Sequence, residues 1–301
     1  MTTIAITGGT GFVGTRLIEL ALKAGHQVRA LTRRNQPARE NVTWIRGDLS
    51  TTDALTELSA GADAVIHVAG VVNAPDRAGF ATGNIDGTRN MLDAAKRAGV
   101  RRFVHVSSLA AREPQLSTYG WSKAEGDVLV QASGLDWTIV RPPAIYGPGD
   151  LEMLELFQLA KRGIALLPPG GRLSLIEVSD LGRLLLALAT TSDCRQILDP
   201  DDGREGGWSH RDFALAIGAA VGKRVAAFAL PRPMLKAGAY LDRLVRGRQA
   251  KLTPDRVDYF CHEDWVSDSS RRPPADLWRP SVHTPIGLAD TALWYRQQGL
   301  L

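Results

Sequence analysis

The segment TGGTGFVG, residues Thr7 to Gly14, constrains the fold more than any other part of the 301-residue sequence. It directly follows the apolar run Ile4–Ile6 and opens a helical pattern of apolar residues that ends at Gly25. A strand, a glycine-rich turn and a helix in this order are typical of the first βα unit of a parallel sheet. Because backbone N–H groups at the start of such a helix bind phosphate, the spacing GxxGxxG predicts a dinucleotide site.

Short apolar runs alternate with helical segments through the first half of the chain. Strands are predicted at residues 28–31, 42–45, 64–68, 103–106 and 137–140. The helices predicted between them include 53–59 and 85–98, each followed by a glycine. Strands that alternate with helices pair in parallel through right-handed crossovers. The sequence therefore predicts an α/β fold, a Rossmann-type doubly wound parallel sheet with a smaller, partly interleaved C-terminal substrate lobe.

Proline and glycine crowd the segment after Arg141, at Pro142, Pro143, Gly147, Pro148 and Gly149. This composition predicts a domain boundary. We expect a dinucleotide-binding domain of residues 1–149 and a mainly substrate-binding lobe of residues 150–301. A strand near residues 196–199 is a candidate to rejoin the first domain.

Regular elements are more widely spaced in the lobe. Helices are predicted over 151–161 and 180–189, and a strand over 173–178. The sequence SHRD, Ser209 to Asp212, has the form of a capping box that opens a helix ended by Gly222.

Composition excludes several classes of protein. The chain has an ordinary globular content of 44% hydrophobic and 23% charged residues. Its formal charge is +4, but Lys and Arg are scattered, so we expect no nucleic-acid partner and only a weak attraction for anionic ligands. Cys194 and Cys261 lack CxxC spacing, which argues against a disulfide framework or a zinc site. Because no apolar run approaches about 18 residues and no signal-sequence pattern is present, a cytoplasmic protein is expected.

The residues after the second predicted strand indicate which dinucleotide binds. An NAD site carries an Asp or Glu there, about 20 residues after the glycines, that binds the ribose hydroxyls. This chain has Thr32, Arg33 and Arg34 instead. Guanidinium groups offer a 2′-phosphate charge-assisted hydrogen bonds, whereas a carboxylate would repel it. The sequence favours NADP(H) over NAD(H); the alternative, that the arginines only coat an exposed loop, stays open.

A tyrosine and a lysine stand four residues apart in STYGWSK, as Tyr119 and Lys123. On the predicted helix this spacing puts both side chains on one face. Bringing a tyrosine pKa from about 10 to near 7 takes roughly 4 kcal/mol, so the pair is useful only in a partly buried site beside the cofactor. Ser107 and Ser108 end the preceding strand, at the edge where open α/β sheets bind ligands. One of these hydroxyls is predicted to hydrogen-bond the substrate oxygen while Tyr119 transfers a proton.

Seven motifs in order resemble the short-chain dehydrogenase/reductases. They are TGGTGFVG, RGDLS with Asp48-Leu49, HVAG at His67–Gly70, NIDGT at Asn84–Thr88, VSS, Tyr119-x-x-x-Lys123 and RPPAIYGPGD. The chain most resembles the extended and atypical branch of that family, which includes NAD-dependent epimerase/dehydratases and 3β-hydroxysteroid dehydrogenase-like enzymes. The motifs span residues 4–150, about half of the chain.

The resemblance implies three catalytic residues. Tyr119 would be the acid/base, and Lys123 would bind the nicotinamide ribose and lower the tyrosine pKa. Ser108, rather than Ser107, would polarise the substrate.

The resemblance also extends the predicted cofactor site. Asp48 and Leu49 would contact the adenine, and Ala69 and Gly70 would line the cofactor groove. Thr32 falls where family members that prefer NAD carry their acid. The predicted cofactor-binding residues are Gly8, Thr10, Gly11, Phe12, Val13, Gly14, Thr32, Arg33, Arg34, Asp48, Leu49, Ala69, Gly70, Ser107, Tyr119, Lys123 and Pro142.

Three functions fit these residues. The leading hypothesis is an NADP-dependent oxidoreductase that moves a hydride between the nicotinamide and a carbonyl or secondary alcohol of a small molecule. A nucleotide-sugar epimerase with a retained cofactor stays open; dehydration is disfavoured because Leu109-Ala110 stands where dehydratases of the family carry an Asp-Glu pair. The third is a non-catalytic NADPH-binding structural or assembly subunit, against which the intact Tyr/Lys pair argues. The substrate itself is not readable, because fold does not transfer specificity.

The sequence also bears on protein partners, membrane contact and metal binding. A homodimer would follow the family's habit of pairing through helices of the nucleotide domain. Met234 to Arg248 forms a basic amphipathic pattern, interpreted first as a lid; membrane-surface contact is disfavoured because a solvated charged face with an apolar core face gives the same pattern. His67 and His105 lie on predicted strands and are interpreted as packed or hydrogen-bonded, so no metal site is predicted.

Overall fold

The computed structural model describes residues 1–191, 195–247 and 253–301, so Cys194 and Arg248 lie outside the described residues. The chain divides into two compact units. The first unit is Met1–Pro142, Leu181–Asp199 and Pro273–Trp278, and the second is Pro143–Asp180, Pro200–Arg272 and Arg279–Leu301. The chain passes from the first unit to the second after Pro142, whereas the sequence pattern places this boundary after Gly149. The strand Ala144–Tyr146 lies in the second unit and pairs with a strand of that unit.

The strands, in chain order, are β1 (Thr3–Thr7), β2 (Gln27–Thr32), β3 (Val42–Arg46), β4 (Ala64–His67), β5 (Arg102–Val106), β6 (Asp136–Val140), β7 (Ala144–Tyr146), β8 (Ile164–Leu167), β9 (Arg172–Leu173), β10 (Leu175–Glu177), β11 (Gln196–Leu198), β12 (Trp208–Ser209), β13 (Ala226–Ala229) and β14 (Asp264–Trp265). The α-helices are α1 (Phe12–Lys23), α2 (Thr52–Ser59), α3 (Arg77–Phe80), α4 (Gly87–Arg97), α5 (Thr118–Gln131), α6 (Leu154–Lys161), α7 (Val178–Thr190), α8 (His210–Val221), α9 (Arg232–Arg246), α10 (Pro254–Phe260) and α11 (Thr284–Gln297). A π-helix covers Ala81–Asp86, and 3₁₀ turns cover Leu109–Arg112 and Ser269–Arg271.

The first unit is built on a seven-stranded sheet in the order β3-β2-β1-β4-β5-β6-β11, with every neighbouring pair parallel. The interior strand β1 is buried from Ile4 to Thr7, as expected for apolar runs covered on both faces. The predicted doubly wound parallel sheet is confirmed. Because parallel strands end at the same edge, Thr7, Thr32, His67 and Val106 all approach one side of the sheet.

The helix predicted over residues 85–98 differs from the structure at its start. A π-helix at Ala81–Asp86 leads directly into α4, so the helical segment begins earlier and changes its winding. The Asn84 amide within the π-helix is bonded to the backbone of Val71, and the Thr88 hydroxyl donates to the Asn84 carbonyl at 2.7 Å. The bonds between Asn84 and Val71 tie the wider turn to the segment after β4, and no periodicity in the sequence signals it.

The second unit has short strands and a core of its own. β10 pairs in parallel with β7, and β9 pairs with β12 and β14. Its core includes Tyr146, Phe157, Leu288 and Tyr295, with the Phe157 and Tyr295 rings edge to face and their centroids 5.1 Å apart. No helix in the described part of the chain is long and apolar enough to cross a bilayer.

The strand predicted over residues 173–178 is two strands, β9 and β10, separated at Ser174. The Ser174 hydroxyl donates to Asp201 at 3.2 Å and accepts the Ser267 N–H at 3.1 Å. β9 pairs with β12 and β14, whereas β10 pairs with β7, so the chain passes from one sheet to another at Ser174.

Two helices of the second unit begin at residues other than those predicted, and in each case a carboxylate bonds backbone N–H groups near the start. α6 begins at Leu154 rather than residue 151, because Asp150 binds the N–H groups of Glu152 and Met153. α7 begins at Val178 rather than residue 180, because Glu177 accepts the Ser179 N–H at 2.6 Å.

Ser209 caps the start of α8, as the SHRD pattern predicts. Its hydroxyl accepts the Asp212 N–H at 3.0 Å, and Gly222, at φ 76°, ends the helix. We expect Ser209→Ala to lower the free energy of unfolding by about 1 kcal/mol, because one N–H of the first turn loses its acceptor. Urea denaturation measures this change. Ser209→Asp restores an acceptor and should behave as the natural chain; equal destabilisation by both variants would contradict the capping role.

Candidate cofactor and active site

The glycine loop is packed so closely that side chains do not fit at two of its positions. Gly8 has φ 73°, and a Cβ there would stand 2.8 Å from the Ala69 nitrogen. A Cβ on Gly14 would collide with the Gly8 carbonyl oxygen, while one on Gly11 would lie 3.3 Å from it. The loop therefore brings β1, α1 and the segment after β4 within backbone contact.

The start of α1 has the character of an anion site. Gly11 occupies the N-cap position in an extended conformation, and no side chain of the described residues caps this end. Thr10 and Gly11 are exposed, and Phe12 and Val13 are half-buried. A twelve-residue helix with an uncapped amino end offers N–H donors and a positive dipole end to a pyrophosphate. These residues fit a bound dinucleotide.

A turn at the end of β2 displays two arginines. The Thr32 hydroxyl donates to the Arg34 carbonyl at 2.7 Å and accepts the Arg34 N–H at 3.2 Å, so Thr32 is buried and used locally. Arg33 and Arg34 are exposed. Arg46 lies opposite Thr32 in the register of β2 and β3, and its guanidinium donates to Asn35 at 3.5 Å. Three arginines thus lie at this edge of the sheet. The sequence pattern indicated only Arg33 and Arg34, because the sheet register is what places Arg46 opposite Thr32.

The segment after β3 has a backbone shaped by local bonds. One Asp48 oxygen accepts both the Ser50 N–H, at 2.8 Å, and the Ser50 hydroxyl, at 2.6 Å, and these bonds hold the Asp48 pKa below its usual value. The Leu49 carbonyl accepts the Asn90 amide at 2.8 Å, and the Leu49 side chain packs against Gly87, where a Cβ would not fit. The predicted adenine contacts therefore lie on a preformed turn.

A buried histidine joins the glycine loop to the neighbouring strand. His67 Nδ1 lies 2.7 Å from the Thr7 hydroxyl, which accepts the Ala69 N–H at 3.1 Å, and His67 Nε2 lies 3.2 Å from the Thr88 hydroxyl. Because the Thr88 proton goes to the Asn84 carbonyl, we assign the ring proton to Nε2. Burial lowers the pKa of His67 to about 3, so the ring is neutral. No group of metal-ligating side chains occurs among the residues described.

Asn84 clamps the segment after β4 to α5. Its Oδ1 accepts the Val71 N–H at 2.6 Å, and its Nδ2 donates to the Val71 carbonyl and to the Ser122 hydroxyl, both at 2.9 Å. A Cβ on Gly70 would lie 3.0 Å from Asn84 Oδ1 and 3.7 Å from Lys123 Nζ. Asn84 was not among the predicted site residues, although the NIDGT motif contains it.

The two serines after β5 have different environments. Ser107 is buried, and its N–H donates to the Val140 carbonyl at 2.8 Å. Ser108 is half-buried, and its hydroxyl accepts the Ala110 N–H at 3.2 Å at the start of a 3₁₀ turn. The Pro142 carbonyl, which accepts the Leu109 N–H at 2.9 Å, fixes the same turn. Of the two hydroxyls, that of Ser108 is the more accessible.

Tyr119 and Lys123 lie one turn apart on α5, which begins after Ser117 caps the Gly120 N–H at 3.0 Å. Tyr119 is half-buried, with its ring centroid 6.3 Å from that of Phe80. Lys123 is buried, and its Nζ donates to the Val106 carbonyl at 2.8 Å. Burial lowers the pKa of Lys123 to about 8, against an opposing effect of Asp127.

Asp127 continues this row by one further turn. Its carboxylate is buried, lies 2.9 Å from the Arg141 guanidinium and 3.6 Å from His105 Nε2. Burial raises the pKa of Asp127, while Arg141, Ser107 and Lys123 act in the opposite direction. Burial also holds the pKa of His105 well below its ordinary value. Sequence reasoning missed Asp127, although its i, i+4 spacing from Lys123 was a usable signal.

Comparison with known proteins places this geometry in a family. A family model described as NAD(P)H-binding matches residues 8–154. The ceramide reductase of Caulobacter vibrioides (strain NA1000 / CB15N) is 37% identical over 312 residues, covering 99% of this chain and 96% of that protein. The 3 beta-hydroxysteroid dehydrogenase/Delta 5-->4-isomerase of Mycobacterium tuberculosis (strain CDC 1551 / Oshkosh) is 32% identical over 193 residues, covering 53% of this chain and 52% of that protein.

Solved structures agree on the fold. MoeE5 in complex with UDP-glucose and NAD superposes with a TM-score of 0.76 over 99% of both chains, at 21% sequence identity. The chain belongs to the short-chain dehydrogenase/reductase family. Its relatives in that family are named reductases and dehydrogenases, and the NAD(P)H-binding match covers most of the first stretch of the first unit.

The buried ammonium of Lys123 gives the protein a defined pH dependence. Its pKa is about 8 in the folded chain and 10.5 for an ordinary lysine, so between these values the unfolded chain binds more protons. Stability rises with pH wherever the unfolded state binds more protons. We therefore expect the unfolding free energy of the natural chain, minus that of Lys123→Met, to increase above pH 8 by up to about 1.4 kcal/mol per pH unit. Urea denaturation from pH 6 to pH 10 measures the difference, which should be flat below pH 7.

An NMR titration of the lysine ¹³Cε resonance provides a second measurement on the intact side chain. Asp127→Asn should move the Lys123 midpoint to still lower pH, because Asp127 raises the Lys123 pKa. A midpoint near 10.5 in the natural chain would contradict the burial effect.

Proposed function

We propose that this protein is an NADP(H)-dependent reductase that converts the ketone of a ceramide-like lipid into a secondary alcohol. The observation that carries the proposal is the row formed by Tyr119, Lys123 and Asp127 on α5, beside the hydroxyls that follow β5. The end-to-end similarity to a protein named ceramide reductase supports the substrate class.

Tyr119 holds the proton that the substrate oxygen needs. Lys123 carries most of its positive charge at neutral pH, since its pKa is about 8. A cation on the same helix face stabilises the phenolate left after proton transfer. Asp127 and the Val106 carbonyl keep that ammonium in place, so Lys123 acts as a fixed charge.

Ser108 orients the substrate. Its hydroxyl accepts the Ala110 N–H and keeps its own proton as a donor for a carbonyl oxygen. Donation from Ser108 together with Tyr119 would polarise the carbonyl as negative charge develops on its oxygen.

The cofactor would be held wholly by the first unit. The start of α1 would bind the pyrophosphate, and Asp48 and Leu49 would contact the adenine. Ala69 and Gly70 would line the groove that holds the cofactor, and Lys123 would bind the nicotinamide ribose. NADPH supplies the hydride when it is bound.

Arg33 and Arg34 support the preference for NADP(H), with Arg46 as an additional cation at the same edge. No carboxylate ends β2 to bind ribose hydroxyls, because Thr32 occupies that position and uses its hydroxyl in the turn. A 2′-phosphate would therefore meet only positive side chains directly after β2.

The cofactor preference can be tested by direct binding. We expect the natural chain to bind NADPH more tightly than NADH, and Arg33→Asp to weaken NADPH binding roughly 10- to 100-fold, the effect of losing one charged hydrogen bond. Fluorescence titration measures both dissociation constants. Arg97→Asp, the same charge change at an exposed position of α4, is the matched control and should leave binding unaltered. Tighter NADH binding by the natural chain would refute the preference.

The proton-transfer role can be tested separately from binding. We expect Tyr119→Phe to lower kcat by about 10²- to 10⁴-fold in NADPH oxidation with a long-chain keto-lipid, because no other group protonates the oxygen. The NADPH dissociation constant should change far less than kcat, because the predicted contacts of the pyrophosphate with the start of α1 remain. Tyr259→Phe in the second unit removes an equivalent hydroxyl and should retain full activity. NADPH binding without oxidation across a broad panel of carbonyl lipids would instead favour a non-catalytic subunit.

A further inference from the structure

Helix α9 exposes an apolar stripe. Met234, Leu241, Leu244 and Val245 follow the spacing i, i+7, i+10 and i+11, so they share one face, and Leu241, Leu244 and Val245 are 62%, 81% and 83% exposed. Tyr240, at the margin of this stripe, is also exposed. Side chains of this size and exposure, placed together, mark an interaction surface.

The opposite face of α9 packs on its own unit. Ala239 is buried there, and Asp258 of α10 receives both Arg232, at 2.6 Å, and Lys236, at 3.2 Å. The helix thus turns buried Ala239 and the half-exposed side chains of Arg232 and Lys236 towards its own unit, and its large apolar residues towards solvent, unlike a helix whose apolar face covers a core. An apolar core face with a solvated charged face, which the sequence pattern alone favours, is not what the structure has.

A two-stranded ribbon just before α9 also exposes large apolar side chains. β8 and β13 pair in parallel, with Leu166 opposite Phe228, and these side chains are exposed together with Ile164. Only Leu230 and Pro231 separate β13 from α9, and the Leu230 N–H donates to the Leu167 carbonyl at 2.9 Å. The apolar ribbon face and the apolar helix stripe are therefore consecutive parts of one unit.

Cations stand at the amino end of both ribbon strands. The sequence KR precedes each strand, as Lys161-Arg162 before β8 and Lys223-Arg224 before β13. Because the strands are parallel, the two pairs lie at the same end of the ribbon. All four side chains are exposed, and none forms an ion pair with another residue that the structure describes. The sequence of α9 itself contains four Lys or Arg and one Asp.

We propose that α9 and the β8–β13 ribbon dock the protein on an anionic lipid bilayer. The apolar stripe of α9 and the side chains of Ile164, Leu166 and Phe228 enter the interface between headgroups and acyl chains. Lys161, Arg162, Lys223 and Arg224 bind the lipid phosphates. Exposed apolar residues combined with nearby cations are the two components of interfacial binding, and each cation adds to it through the negative surface potential.

This proposal reverses the expectation that membrane contact is disfavoured, and it goes beyond the proposed reductase activity. Docking depends only on residues of the second unit, whereas hydride and proton transfer depend on residues of the first. A failure of one can therefore be told from a failure of the other, because vesicle binding is measured without cofactor or substrate.

The test is flotation of the full chain with lipid vesicles. We expect the protein to float with phosphatidylcholine vesicles in which about one lipid in three is phosphatidylglycerol, and to remain unbound with phosphatidylcholine alone. Leu244→Glu/Val245→Glu should weaken vesicle binding at least about tenfold, since two large apolar side chains no longer enter the bilayer. Lys223→Gln/Arg224→Gln should weaken it by about fivefold per charge and reduce its sensitivity to salt.

The matched control places the same charges on another exposed apolar pair. Ile286 and Leu293 on α11 are 60% and 50% exposed, so Ile286→Glu/Leu293→Glu should bind vesicles as the natural chain does. NADPH binding and the thermal transition establish that each variant is folded. Absence of flotation with anionic vesicles, or equal loss in the α11 control, would overturn the proposal. So would sedimentation showing that Leu244→Glu/Val245→Glu dissociates a dimer without altering vesicle binding, because a second copy would then cover the stripe.

Discussion

The buried ammonium of Lys123 is the interaction on which the candidate site depends. A charge removed from water needs partners, and the chain supplies the Val106 carbonyl at the end of β5 and the Asp127 carboxylate one turn along α5. Asp127 is itself buried and is balanced by Arg141, which directly follows β6. One helix is thereby tied to two neighbouring strands, which fixes where Tyr119 stands relative to the serines after β5.

A second network of neutral groups supports the cofactor side of the same sheet edge. Thr7, His67 and Thr88 connect β1, β4 and α4, and Asn84 joins the segment after β4 to α5. Because the His67 pKa is far below neutral, this network is uncharged at neutral pH. The close approach of Gly8 to Ala69 then leaves backbone, rather than side chains, beside the predicted pyrophosphate.

The two units combine different physical chemistry. The first concentrates buried polar groups and backbone donors, which suits a charged nucleotide and proton transfer. The second has a compact aromatic core around Tyr146, Phe157 and Tyr295, together with an exposed helix face that its own core does not use. The proposed lipid substrate would connect these properties, because it would leave a bilayer before reaching the proposed proton donor Tyr119.

The sequence by itself determined the alternation of strands and helices, the glycine loop, the arginines after β2 and the Tyr119/Lys123 spacing. Each of these is encoded locally, either as a periodicity or as a backbone demand that only glycine meets. Tertiary structure alone decided the partnership of Asp127 with Arg141, the register that brings Arg46 beside Thr32, the π-helix at Asn84 and the outward direction of the apolar face of α9. These features depend on groups far apart in the chain, and amphipathicity gives the faces of a helix without saying which of them meets the protein.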